Sequence, residues 1–429
     1  MQIPMIKPVN SYPVELLDEY IRLQEVVNDH QIRGVLVFKK HLELNKFRSA
    51  VKKTFHHVPL LRCQCTKAGK KISWKETDYR ESDLFFITDE TLSKENIIHY
   101  LKKKPGNAGP QILVQIFRQA DNDIIIIIVN HMVFDGTGFK SYLYLLSEIY
   151  SDELSEKDTA AAEALPERRM DVLLKNIPPG QRFLALFRKT FGTAGKKILT
   201  GADNKDGQTR LGLVIINTEK FRKIKDFCRD YGITINDFVL TLFCRAIMSL
   251  EHEETNHSLT IQIMFDLRRY VKKYPVSHYG NFSSMESLSI TGKTRNLPDL
   301  VREVNRYMQR IKTHLPGIKN IIIMNSLFKL LPGHLFDELL VRTIRALSVS
   351  TSNLGIIDSG KLFFRDNEIS EAYMLTSVKN QPGLQLSFST FKDSITMSVL
   401  GNYSAENWEI VETILHSITD DVDDIASGR

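Results

Sequence analysis

One stretch of the chain carries a spacing that chemistry could use: Ile124-Ile-Ile-Ile-Ile-Val-Asn130-His131-Met-Val-Phe-Asp135-Gly136-Thr-Gly138. A histidine follows an apolar run, and an Asp-Gly pair stands four residues beyond it. Imidazole has an unperturbed pKa of about 6.5, so near neutral pH it can accept a proton from an alcohol, amine or thiol. A buried strand leading into the histidine would fix its position better than a loop. In an extended chain Asp135 would lie about 13 Å from His131, at roughly 3.3 Å per residue. The chain must therefore turn between them, and Asp135 need not touch the imidazole. With Asp and Gly each near one residue in roughly 15, the histidines present would give this spacing by chance in about one chain in 20. Read without chemistry, His131 is a hydrogen-bonded core histidine and Asp135-Gly136 an ordinary turn.

Neighbouring elements must hold this stretch in place. Gly34 to Phe38, Gln111 to Phe117 and Asp123 to Asn130 read as strands, the last two joined by a hairpin at Ala120-Asp-Asn122. Tyr12 to Val27 has near-helical spacing, and Leu42 to His57 reads as an amphipathic helix stopped by Pro59. Ser93 to Lys103 and Phe139 to Tyr150 read as further helices, and Leu61 to Cys65 and Lys71 to Trp74 as short strands. Between Ser151 and Arg210 the composition turns charged, then Ala-rich, then rich in Pro and Gly, which reads as a crossover containing a helix or two. The pattern restarts with a strand over Leu211 to Asn217 and helices over Glu219 to Tyr231 and Ile235 to Leu250. A strand over Leu259 to Phe265 follows, then helices over Leu297 to Thr313 and Leu327 to Ala346. A hairpin at Lys392-Asp393 and a helix over Asn407 to Val422 close the chain. The expectation is an α/β protein of two lobes, 1–150 with the histidine motif and 211–429, joined by a linker at 151–210. Each lobe is a mixed sheet covered by helices.

Composition removes several classes. A length of 429 residues corresponds to about two to three domains. With 42% hydrophobic and 25% charged residues, disorder and collagen-like repeats are excluded. Cys63, Cys65, Cys228 and Cys244 are too scattered for a disulfide framework, which favours a reducing compartment, and Cys63 and Cys65 lack zinc-site spacing. No metal is expected. The N-terminal residues lack the pattern of a signal peptide and no apolar run is long enough to span a bilayer, so the expected location is the cytoplasm. The net charge of +6 suits acidic or phosphate-bearing partners, but no nucleic-acid motif accompanies it. There is no GxSxG, GxGxxG or P-loop stretch either.

His131-Met-Val-Phe-Asp135-Gly136 resembles the HxxxDG signature of the chloramphenicol-acetyltransferase-like superfamily. That group includes thioester-dependent plant acyltransferases, alcohol acetyltransferases, polyketide-associated acyltransferases and nonribosomal-peptide condensation domains. Leu17-Asp18, His57-Val-Pro59-Leu-Leu-Arg62, Gly232-Ile-Thr-Ile-Asn236-Asp237, Phe265-Asp266-Leu267-Arg268-Arg269 and Ser352-Asn353-Leu354-Gly355 resemble other family segments, in the family's order. The resemblance runs from about residue 15 to 420, and its most specific part is the central motif.

The resemblance implies two coupled lobes with an active-site tunnel between them and His131 as general base. Asp135 would be architectural, paired with Arg268 (Arg269 as the alternate), and Gly136 would permit a tight turn or a close approach. Ser352 and Asn353 are candidates for substrate or oxyanion contacts. No cofactor would be tightly bound; coenzyme A or a carrier-protein phosphopantetheine thioester would be a co-substrate, and an acyl or peptidyl carrier is a candidate partner. Condensation domains usually carry two adjacent histidines, and Asn130, a structural residue of the site, holds the first place here. A peptide-condensation assignment is thereby weakened, and the plant-type DFGWG motif is absent.

The expected activity is transfer of an acyl group from a thioester, acyl-coenzyme A by preference, to an alcohol or amine. Alternatives are a free-standing condensation-type enzyme using carrier-bound thioesters for nonribosomal peptide or lipopeptide synthesis, and a catalytically silent binding relative. His56-His57 reads as a helix end, and His278 as an ordinary loop residue before Tyr279-Gly280-Asn281-Phe282, with a tunnel-side loop in the second half as the functional alternative. Phe183, Phe187 and Phe191, flanked by Arg182, Arg188 and Lys189, read as a linker helix packed against the lobes, with a surface meeting lipid or an acidic carrier as the functional alternative.

Overall fold

The computed structural model describes residues 11–68, 71–105, 109–152, 167–187, 198–201, 207–250, 258–291, 296–365 and 367–428. Two mixed sheets organise the chain. The first has five strands in the order Ile369–Leu375, Gln31–Phe38, Asp123–Asn130, Ile112–Arg118 and Phe85–Thr88. Its isoleucine strand is sandwiched. Ile125, Ile127 and Val129 face a core shared with the helices Leu44–His57 and Gly136–Tyr150, whereas Ile126 and Ile128 face a second cluster with Tyr100, Leu101 and Leu400. Burial on both faces is why the run does not alternate with polar residues. Each such side chain contributes roughly 1.5–3 kcal/mol. Gly34 lets the motif helix ride directly on the sheet, since a Cβ there would lie 3.0 Å from the Phe139 ring.

The second sheet has seven strands. Six run in the order Ser283–Thr291, Ser258–Asp266, Val349–Ile357, Leu384–Phe391, Ser394–Tyr403 and Lys379–Asn380, and Gln208–Ile216 also pairs with Ser394–Tyr403. Helices Thr218–Asp230, Ile235–Met248, Leu297–Lys312 and Ala405–Ser427 cover it. A small three-stranded sheet joins Tyr12–Pro13, Lys71–Glu76 and Cys63–Ala68.

Both expected hairpins form, with Arg118 opposite Asp123 and Phe391 opposite Ser394. Several elements differ from the sequence reading. The helix expected over Leu327 to Ala346 is two helices, Ile318–Leu330 and Gly333–Ala346, broken at an extended Leu331 before Pro332. Proline has no N–H to donate and disfavours helical backbone in the residue before it. The helix expected over Ser93 to Lys103 is confined to Ile97–Leu101. Leu60 and Leu61 lie in a single turn of 3₁₀ helix over Pro59–Arg62, and the strand begins only at Cys63.

Ile369–Leu375, in the second half of the sequence, pairs antiparallel with Gln31–Phe38 and closes the edge of the first sheet. A division at 211 therefore cuts across a shared sheet. The crossover contains the helices Met170–Lys175 and Pro179–Leu186; Arg188, Lys189 and Phe191 lie outside the described residues.

Candidate active site

His131 stands one residue beyond the strand Asp123–Asn130. Its backbone N–H donates to the His30 carbonyl at 2.8 Å, which ties it to the start of the neighbouring strand. Asn130 holds the turn that follows: its side-chain nitrogen donates to Gln111 Oε1 at 2.8 Å and its Oδ1 accepts from the Met132 N–H at 2.9 Å.

The imidazole is oriented from the second half of the chain. His131 Nδ1 lies 3.2 Å from Asn281 Oδ1. Asn281 Nδ2 donates to the Met132 carbonyl at 2.9 Å and to Asp18 Oδ1 at 3.2 Å, so the amide oxygen must be the atom that faces the ring. An oxygen there accepts a hydrogen bond, so Nδ1 carries the proton and Nε2 keeps its lone pair. Asp18 is itself held by Arg168, whose Nη1 and Nη2 lie 3.0 and 2.8 Å from the two carboxylate oxygens. Arg168 also donates to the Met132 carbonyl at 3.2 Å. Burial pushes the His131 pKa below its ordinary value, against the raising effects of its own backbone, Asp135 and Asn281. The neutral imidazole, the form a general base needs, is therefore favoured at pH 7.

Asp135 is 1% exposed and points away from this chain of contacts. Its Oδ1 accepts from the Gly138 N–H at 2.8 Å, which caps the motif helix. Its Oδ2 accepts from the Phe282 N–H at 2.7 Å, from Ser283 Oγ at 3.2 Å and from Arg268 Nη1 at 2.8 Å. Burial works against its charge, but Arg268 and these donors outweigh that and hold the carboxyl below its usual range. Arg268 also donates to the Gly280 carbonyl at 2.9 Å and lies over the Phe282 ring. Arg269, the alternate partner, is exposed and lies over Tyr270.

Gly136 serves a close approach, for a Cβ there would come within 2.9 Å of Leu354 Cδ2. Gly138 has a similar role that the sequence reading did not assign: a Cβ would lie 3.1 Å from the Gly280 carbonyl oxygen. Ser352 and Asn353 lie on the strand Val349–Ile357. Asn353 bonds Asn236 at 3.1 Å and accepts from the Gly355 N–H, and no hydrogen bond among the described residues joins either candidate to His131.

Four residues that sequence reasoning left out belong to the site: Asn281, Asp18 and Arg168, which orient the ring, and Lys379. Lys379 bridges to Asn28, two residues before His30, and burial pushes its ammonium down to about 8. Its charge acts on His131 to lower the imidazole pKa further, and its amine has no hydrogen-bond or ion-pair partner among the described residues. The cysteines offer no competing nucleophile, since burial raises Cys63 to about 12 and Cys65 to about 11. Among the described residues no group of His, Cys, Asp or Glu is arranged to hold a metal ion.

A trichothecene 15-O-acetyltransferase from Fusarium sporotrichioides superposes with a TM-score of 0.67 at 10% identity, covering 97% of this chain and 99% of that one. The first condensation domain of a calcium-dependent antibiotic synthetase gives 0.66 at 12% identity over 98% of each. The chain has the fold of the chloramphenicol-acetyltransferase-like superfamily. Polyketide synthase associated protein 5 from Mycobacterium tuberculosis also shares this superfamily fold, with a TM-score of 0.66 at 11% identity over 97% and 99% of the two chains. Residues 279–419 match the family model of the WS/DGAT C-terminal domain. That match begins at Tyr279, two residues before the asparagine that orients His131. No curated protein sequence matches the chain.

Proposed function

We propose that this superfamily member transfers an acyl group from a thioester to an alcohol or amine, with His131 as the general base. The observation that carries the reading is the Asn281–His131 hydrogen bond, which puts the proton on Nδ1 and leaves Nε2 free to accept one. As the acceptor oxygen or nitrogen bonds to the thioester carbonyl carbon, its proton passes to Nε2. The tetrahedral intermediate then breaks its C–S bond, and the imidazolium returns the proton to the departing sulfur. Asp135 and Arg268 are positioning residues that fix the turn between the halves, and the Arg168–Asp18–Asn281 chain positions the ring.

Acyl-coenzyme A is the preferred donor; Asn130 in the first histidine place of the condensation pattern weakens a peptide-condensation reading and leaves the donor type open. The test mixes wild type and His131→Ala with acyl-coenzyme A esters and acylated carrier proteins, in the presence of alcohol and amine acceptors, and measures released thiol. Release from coenzyme A esters by wild type alone is the expected result. Release only from carrier-bound thioesters would move the chain to the condensation-type reading, and no release from either by folded protein would overturn catalysis in favour of a binding role.

A further inference from the structure

Exposed apolar side chains are unevenly distributed over the surface. Of the thirteen large ones among the described residues, nine lie on Pro179–Leu186 with its cap residue Phe187, on Ile318–Leu330 and on Gly333–Ala346. Leu330 is 79% exposed, Phe187 71% and Leu184 70%, more than any others of that set. The three helices are neighbours: Pro179–Leu186 packs on Ile318–Leu330, which packs on Gly333–Ala346. An open groove of about 540 Å³ runs between the first two, lined by Lys175, Arg182, Phe183, Leu186 and Ile322 among others. Clusters of this kind on a folded surface mark a place where something apolar docks.

Charge identifies the occupant. Residues 169–187 and 318–346 carry seven cations against three carboxylates, a net of +4 in a chain whose total is +6. Two of those carboxylates, Asp171 and Glu338, are already paired with Lys329 and Arg342. Lys175 and Arg182 have no carboxylate partner among the described residues. A second copy of the same face would set like charges against each other, so self-association is disfavoured. Protruding Leu and Phe side chains beside unpaired Lys and Arg instead match an anionic lipid surface, where apolar groups enter the acyl boundary and cations meet headgroup phosphates.

We infer that this three-helix face docks the protein on anionic phospholipid membrane surfaces. Its side chains are separate from the His131 site, so the inference stands or falls independently of the acyl-transfer reading. The test is flotation of the full chain with vesicles of phosphatidylcholine alone and of equal parts phosphatidylcholine and phosphatidylglycerol. The chain should float with the mixed vesicles, remain behind with the neutral ones, and be released by high salt. The triple variant Leu184→Ser/Phe187→Ser/Leu330→Ser should bind about tenfold more weakly or worse, at an unchanged melting temperature because these side chains are exposed. Lys175→Glu/Arg182→Glu, which leaves the apolar residues in place, should lower binding by a similar factor. Absence of flotation with the anionic vesicles overturns the inference, as does undiminished flotation of both variants. Capture by an acidic acyl carrier protein without flotation replaces the lipid occupant with a protein one.

Discussion

Two buried carboxylate–arginine pairs flank the turn that carries His131, and they are built to different ends. Asp135 meets Arg268, a helix N-terminus and the backbone and hydroxyl of the second half, so its oxygens are used up in joining elements. Asp18 meets Arg168, closes the N-terminus of the helix Leu16–Leu23 by accepting from the Glu15 N–H, and also reaches Asn281, which ends on the imidazole. Removing a member of the first pair should unfasten the fold; removing a member of the second, which is buried as well, should cost stability and also misorient the ring. The same pair of residue types can therefore fasten or aim, according to what else its oxygens touch.

The most severe test of that distinction is His131→Ala, which should stay folded and lose about 10²–10⁴-fold in acyl transfer, measured as thiol release. Near wild-type turnover would remove the base from the comparison altogether. Asp135→Ala should cost about 3–5 kcal/mol in denaturant unfolding, because it strands a buried guanidinium. Asp135 has a folded pKa below its unfolded value, so its stabilisation is present above the unfolded carboxyl pKa of about 3.9 and is lost as pH falls through the folded value. Asp135→Asn should accordingly flatten the acid side of the stability profile. An Asp135 variant of full stability without activity would make the fastener a chemical participant.

Asn281→Asp sharpens the other side of the comparison. An anion beside Nδ1 favours the imidazolium, so the acid limb of kcat, expected below pH 6.5 in wild type because burial lowers the His131 pKa, should move to higher pH. An unmoved limb would disconnect Asn281 from the base. The smallest effect is at Glu15, whose carboxyl is raised to about 7 chiefly by burial and then by Asp18. Its charged form is disfavoured in the fold, so stability declines as pH rises from the unfolded pKa through about 7. Glu15→Gln should raise the melting temperature at pH 8 and have little effect at pH 4. The opposite ordering would show that the fold does not disfavour the charge on Glu15.

The motif was legible in the sequence because its parts are local: a sandwiched strand, a histidine and an N-cap lie within sixteen residues of one another. Arg268 was legible through the resemblance of its strand end. Asn281, Asp18 and Arg168 were not, because the bonds that join them to one another and to His131 span 150 or more residues and single Asn, Asp and Arg residues carry no periodicity. Gly280, with φ of 148° beside Asn281, was a signal in plain view, since a glycine next to a polar residue in a loop marks close backbone approach. Most of the second sheet was legible from its apolar runs. The strand Ser283–Thr291 was not, because SSMESLSIT is too polar to stand out as a core strand. The break at Pro332 lay in the sequence as well, where the apolar spacing on either side masked it.

The strand Ile369–Leu375 has a practical consequence for dividing the gene. A fragment ending near residue 150 would expose the free N–H and C=O groups of Gln31–Phe38, a bare and highly apolar border open to pairing with another fragment. Halves produced separately should aggregate rather than reassemble, whereas a fragment of the first lobe supplied with residues 369–375 as a tethered peptide should remain in solution.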